Sequence, residues 1–260
     1  MYLVYIAAGK SSRFGGSPKL LAKIGPNGET LIEISIQQAL TCININKIHF
    51  LVSKETYPLI FQHLGEKYHH LPITYSFQEI PSFRTKPWGT ADAVASLKGV
   101  INETFIMCNS DDLYGKKAFS SFVNDKTNII VGYLLENSLP IIGKVNRGFI
   151  NINKHYSVEN LEEKLNIEMD DFTQQELMSI LVSMNIFQFT PKILDLLYQN
   201  VEQFKKDNHE NETIEALLPN FLNELINQDK IEILCKVCSE RCVGITYKED
   251  IERIKKDLIR

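Results

Sequence analysis

The chain has 260 residues, 44% hydrophobic and 23% charged, which suits one globular domain or one domain with a large insertion. A net charge of −4 argues against a general nucleic-acid surface, so any anion site must come from local placement of Arg and Lys. The longest apolar runs fall far short of the roughly 20 residues that a membrane span needs, and an odd cysteine count argues against a disulfide framework.

The first apolar run, YLVYI at 2–6, lacks a basic leader and turns straight into Gly-Lys-Ser-Ser. It reads as a buried first strand rather than a secretory signal, which implies a cytoplasmic protein. After a Gly- and Ser-rich loop, helical patterns at 31–41, 55–68, 90–98 and 116–124 alternate with strands at 47–53, 73–78, 104–109 and 128–134, rich in Ile, Val and Phe. In the first helix Ile32, Ile36, Ala39 and Leu40 form one apolar face, as packing on a sheet requires. The alternation predicts an α/β fold: a Rossmann-like mixed, mostly parallel sheet flanked by helices.

Beyond Gly143 come a strand pair around a polar stretch, an apolar run at 180–189, helices at 192–204 and 213–226, and a closing strand and helix. No linker or repeat interrupts the chain, so 1–260 reads as a single domain, with a first half at 1–135 and a second at 136–260 that holds a second substrate. Cys235, Cys238 and Cys242 resemble the start of a metal site, but a structural zinc needs four ligands and no fourth Cys or His lies nearby. Ile231, Ile233 and Cys235 alternate instead as one face of a strand, where Cys is a small hydrophobe.

Ligands of open parallel sheets sit beyond the carboxyl ends of the strands, which is where the loop after the first strand lies. A phosphate-binding P-loop is excluded by spacing, because Val4 stands where its first Gly is needed. The dinucleotide fingerprint fails as well, at Ser11. The pattern left is A-A-G-x-S-S-R-F-G-G-S-P-K at 7–19. Small residues let backbone N–H groups approach an anion, Arg13 offers a planar fork, Lys19 a point charge, and Pro18 fixes the backbone beside it. The competing reading is a mobile loop with solvated cations.

The stretch is similar to the signature G-x-G-[ST]-R-x-x-x-x-P-K of nucleotidyltransferases that activate sugar phosphates; Arg13, Pro18 and Lys19 fit, and Ser11 departs at the second Gly. The chain resembles the short, single-domain uridylyl- and thymidylyltransferases of that family, more weakly towards the C-terminus. The resemblance implies NTP and a sugar 1-phosphate as substrates, no nucleic-acid or membrane partner, and Mg²⁺ as cofactor. Nothing in the residues indicates an oligomeric state.

Other motifs follow in the family's order. Gln78 closes a strand, and an amide can match the edge of a pyrimidine; Gly89-Thr90 opens a helix, where Gly lets the backbone approach a base. The resemblance gives base recognition to Gln78, Gly89 and Thr90, with Ala8 and Gly9 closing the pocket; a plain helix cap at Gly89-Thr90 is compatible with this. In FIMCNSDDLYG paired carboxylates end an apolar strand, as a hard divalent ion on triphosphate oxygens requires. The family's metal ligand matches Asp111, with Asp112 beside it; capping of the helix near Lys116 is the alternative.

In the second half the resemblance places Gly143 against a sugar hydroxyl, Glu163 on sugar hydroxyls, Lys164 on the sugar phosphate and Asn185 against the sugar. Read without it, the Glu-Glu-Lys triplet at 162–164 is an ordinary exposed helix sequence. One departure stands out: where the family has a second metal ligand, this chain has Ile245 or Thr246, so Asp250 becomes the candidate.

The implied chemistry needs no catalytic base, since a phosphate oxygen is already anionic, and the motifs accordingly lack a nucleophile–His constellation. Arg13 would hold the departing pyrophosphate, Lys19 the α-phosphate, Lys164 the incoming phosphate and Asp111 the metal. GTADAV, GKVNR and Asn185 resemble the branch that makes UDP-N-acetylglucosamine, while Glu163-Lys164 leans towards the glucose 1-phosphate branch. A cytidylyltransferase for phosphocholine or another alcohol phosphate, and a non-catalytic nucleotide sensor, are the other readings. The absence of hexapeptide repeats argues against an attached acetyltransferase half.

Overall fold

The computed structural model describes residues 1–9, 18–123, 125–140, 143–245 and 250–259. In chain order the first half contains β1 (Tyr2–Ala7), α1 (Leu31–Cys42), β2 (Lys47–Val52), α2 (Tyr57–Leu64), β3 (Lys67–Tyr68), β4 (Leu71–Phe77), α3 (Thr90–Ala95), β5 (Phe105–Asn109), β6 (Asp112–Leu113), α4 (Lys116–Ser120) and β7 (Ile129–Leu134). The second half adds β8 (Val145–Ile152), β9 (Val158–Ile167), α5 (Gln174–Leu177), β10 (Leu181–Phe189), α6 (Lys192–Asp207), α7 (Leu218–Asn227), β11 (Leu234–Cys238), β12 (Val243–Gly244) and α8 (Asp250–Ile259).

The main sheet runs β11-β7-β10-β5-β1-β2-β4-β3, with the antiparallel pair β8 and β9 attached through β10. β1 lies in the middle, parallel to β2 on one side and to β5 on the other. Its Leu3, Val4 and Tyr5 are fully buried, the continuous apolar run expected of a strand covered on both faces. One apolar layer joins Tyr5 and Phe50 to Ile32 and Ile36 of α1 and Phe119 of α4. The layer on the other face joins Val4 and Phe105 to Val94 of α3, Leu197 of α6 and Leu222 of α7. α1 starts in a capping box, in which Glu33 N donates to Thr30 Oγ1 and the Glu33 carboxylate accepts from Thr30 N.

The mixed, mostly parallel sheet flanked by helices is the fold class expected, with three local corrections. β7 does not follow β5 in the sheet; β10 enters between them, antiparallel to both. The second helix ends at Leu64, because Gly65 turns the chain at φ 63° and residues 67–68 run back beside β4. The Glu-Glu-Lys triplet lies in β9, where pairing with β8 overrides the helix preference of those residues. Cys235 packs as a small hydrophobe in the second apolar layer, as its alternation predicts. Among the described residues no helix is long and apolar enough to cross a membrane.

Candidate active site

Parallel strands β1 and β5 deliver their carboxyl ends side by side, and two cavities open there. A smaller one, about 150 Å³, is lined by Ala7, Gly9, Pro18, Lys19, Thr56 and Asp111, among others. A second, about 190 Å³, extends from Lys19 and Asp111 across to β8 and β10. Lys19 Nζ donates to Asp111 Oδ2 at 3.2 Å between them. Lys19 is held in place by the buried Leu20 next to it, whereas Asp111 is 39% exposed, so this pair is open to exchange with a ligand.

Asp112, next in sequence, is buried and accepts from Asn109 Nδ2 at 3.0 Å. Burial first, then the Asp111 charge, pushes its carboxyl up to about 6. β12 pairs antiparallel with β6, so Gly244 lies opposite Asp112, and a Cβ on it would collide with Asp112 Oδ1. Ile245 N donates to Asp111 O at 3.1 Å. The late segment expected to supply a second metal ligand does reach Asp111, but it does so through buried, apolar Ile245; Thr246 lies outside the described residues. Asp250 begins α8 and accepts from Arg253 Nη2 at 3.1 Å; Arg253 lines the larger cavity and Asp250 does not.

Asn185 and Glu163 also line the larger cavity. A register shift between Ser183 and Phe187 of β10 marks a bulge, and Asn185 within it has φ 56°, a conformation that Asn tolerates better than most residues. Burial raises the Glu163 carboxyl, and Arg147 opposes that shift. Lys164 does not line the cavity: its Nζ pairs with Glu162 Oε1 at 2.6 Å, and both side chains are about half exposed. Gly143 has φ 99° with nothing near its Cβ position. Arg13 lies outside the described residues.

Just beyond β4, Gln78 is buried, and its Nε2 donates to Asp92 Oδ2 at 2.8 Å and to Gly89 O at 3.3 Å. Gly89 is the N-cap of α3 at φ 109°, and a Cβ there would sit 2.6 Å from Ala216 O. Leu218 N donates to Thr90 Oγ1 at 2.9 Å. Ala8 is buried at the end of β1, and a Cβ on Gly9 would meet nothing within 4 Å. Gln78, Gly89 and Thr90 line neither cavity. Trp88 is buried beneath the Arg84 guanidinium, 3.6 Å from its ring centre.

Of the described arginines that line the larger cavity, Arg241 and Arg253 are absent from the sequence reading, and Arg147 enters it only as the last residue of GKVNR, with no role of its own. Each motif that would flag them is short, and only the β10 insertion and the β12–β6 pairing bring them together. Gly244 was the available signal, since a Gly in a strand pattern often marks close approach of another group.

A carboxylate-ended strand, a cationic turn after β1 and a polar second cavity are the parts of a phosphate-transfer site. The sequence profile of the nucleotidyl transferase family matches residues 14–232, and the chain belongs to that family. No curated protein matches it in sequence. Solved structures share the fold: a UDP-glucose pyrophosphorylase complexed with UDP-glucose (TM-score 0.68, 14% identity, 99% of this chain and 98% of that one) is one. The CTP:phosphocholine cytidylyltransferase of Streptococcus pneumoniae is another (TM-score 0.67, 15% identity, 99% and 98% of the two chains). The inositol-1-phosphate CTP transferase of T. maritima is a third (TM-score 0.66, 13% identity, 99% and 95%).

Proposed function

We propose that the protein transfers a uridylyl group from UTP to N-acetylglucosamine 1-phosphate and releases pyrophosphate. The observation that carries this is the Lys19–Asp111 pair at the ends of β1 and β5, facing a cavity that also holds Glu163 and Asn185. An oxygen of the acceptor phosphate forms the new bond to the α-phosphorus. The bond to the oxygen bridging towards the β-phosphorus breaks, and its electron pair leaves with pyrophosphate. No proton moves, so no base is needed. Lys19 neutralises charge on the α-phosphate, and Arg13 holds the departing pyrophosphate. Gln78, Gly89 and Thr90, with Ala8 and Gly9, present the base pocket; Gly143, Glu163 and Asn185 take the sugar hydroxyls.

Asp111 offers hard oxygen to a divalent ion. Among the described residues no group of three or more His, Cys, Asp or Glu could hold a metal, so an ion here takes the rest of its ligands from phosphate and water. That donor set suits Mg²⁺, with Asp250 the second candidate, and the ion supplies charge neutralisation on the triphosphate.

The cytidylyltransferase reading has its support in two of the structural neighbours, which act on phosphocholine and inositol 1-phosphate. Against phosphocholine, no Phe, Tyr or Trp is among the described residues that line the larger cavity, and a quaternary ammonium is best held by aromatic faces. The test is pyrophosphate release with Mg²⁺, crossing UTP, dTTP, CTP, ATP and GTP with N-acetylglucosamine 1-phosphate, glucose 1-phosphate and phosphocholine. Release with UTP and N-acetylglucosamine 1-phosphate is expected. Release only with CTP and phosphocholine would overturn the sugar assignment, and silence from folded, nucleotide-binding protein would favour a sensor.

A further inference from the structure

Four cationic side chains line the larger cavity, and they differ in what balances their charge. Lys19 is paired with Asp111 and Arg253 with Asp250. Arg147 and Arg241 form no ion pair with a carboxylate among the described residues; both are held by neutral backbone carbonyls instead. Arg147 Nη2 donates to Ser138 O at 2.5 Å and Nη1 to Asn146 O at 2.8 Å. Arg241 Nη2 donates to Leu139 O at 3.1 Å. Both guanidiniums line the same cavity, anchored on carbonyls of consecutive residues.

Arg147 also has a buried Nε with no hydrogen-bond partner among the described residues. An unpaired donor on a buried guanidinium is costly, and such groups are normally satisfied. A register shift in β8 between Val145 and Arg147 turns the side chain at this point. Lys164, by contrast, does not line the cavity and pairs with Glu162 at a half-exposed position.

We infer that Arg147, together with Arg241, binds the phosphate monoester of the acceptor, and that Lys164 contributes less to that contact. A guanidinium fork matches two oxygens of a phosphate, and carbonyl anchors fix its direction without cancelling its charge. A phosphate dianion in this cavity balances the charge of both arginines. The alternative is a structural role for Arg147 as counter-charge to buried Asp112 and Glu163, both of which it faces electrostatically.

The inference rests on the transfer reaction proposed above, and steady-state kinetics separate the two. With UTP and N-acetylglucosamine 1-phosphate, Arg147→Gln raises the acceptor KM by about 10- to 100-fold, the scale of losing a charge-assisted hydrogen bond. The UTP KM stays within about threefold, and Arg147→Lys falls between wild type and Arg147→Gln because a point charge replaces a fork. Lys164→Ala raises the acceptor KM less than Arg147→Gln does. An unchanged acceptor KM, an equal rise for both substrates, or a larger effect from Lys164→Ala would each overturn the inference while leaving the transfer reaction standing.

If Arg147→Gln does not fold, Arg241→Gln is read by the same split between the two KM values. If the wild-type protein transfers to none of the acceptors, the proposed function fails alone, and calorimetric titration with inorganic phosphate decides the inference. Binding at least tenfold weaker in Arg147→Gln supports it; equal binding overturns it.

Discussion

Around Gln78 and Gly89 the named polar groups have protein partners, whereas Arg147 keeps a buried Nε with no hydrogen-bond partner among the described residues. The Gln78 amide is tied to Asp92 and Gly89, Asp92 is tied in turn to Lys205, and Thr90 is tied to the segment before α7. Across the site, Arg147 leaves a donor unpaired. The two glycines show the same contrast. A side chain at Gly89 would strike Ala216, whereas one at Gly143 would enter open space. The first region is a rigid template whose geometry exists before any ligand arrives. On the proposed reading, the second gains its last interactions from the acceptor.

The largest effect expected is on the hinge between these regions. Asp111→Asn removes the Lys19 partner and a hard oxygen, and turnover should fall by about 10²–10³, the scale of losing one preorganised charge contact. Stopped-flow detection of pyrophosphate checks it. Gly89→Ala combines a strained φ with a backbone collision and should cost about 3 kcal/mol in urea unfolding. A loss below about 1 kcal/mol would mean that the template is softer than described. Gly143→Ala meets the φ penalty alone and should cost about 1–2 kcal/mol, with any kinetic change confined to the acceptor KM.

A further effect, on stability alone, concerns the scaffold under the template. His49 is buried between Thr74 and Ser76, and burial, helped by the Lys47 charge, pushes its pKa from 6.5 down to about 4. The folded state therefore prefers the neutral ring. Stability should be flat above pH 6.5, fall as pH drops from 6.5 towards 4, and level off below, by up to about 3 kcal/mol from this group. Urea midpoints at pH 7 and 4.5 measure the drop, and His49→Gln should make it shallower.

Much of the template was legible because its signals are local. The apolar run of β1, the Pro18-Lys19 turn and the carboxylates ending β5 each occupy one short segment, and β-α alternation places their ends at one edge. The acceptor side was legible only in part. Asn185 and Glu163 reach the cavity and Arg147 stands in the GKVNR segment, but Arg241 is anchored to Leu139, 102 residues away in the chain, for which no local pattern exists. The Glu-Glu-Lys triplet misleads for a related reason: its helix propensity is weak beside the ladder that β8 imposes on β9.

The account stands or falls on Lys19. A single-turnover assay would follow α-labelled UTP into nucleotide-sugar with excess Lys19→Ala protein, N-acetylglucosamine 1-phosphate and Mg²⁺, alongside a UTP binding titration. Transfer slower by about 10²–10³ with UTP affinity changed only a few-fold is the predicted result, since the lost charge acts on the α-phosphate as the bond breaks. Transfer at the wild-type rate would contradict the site itself.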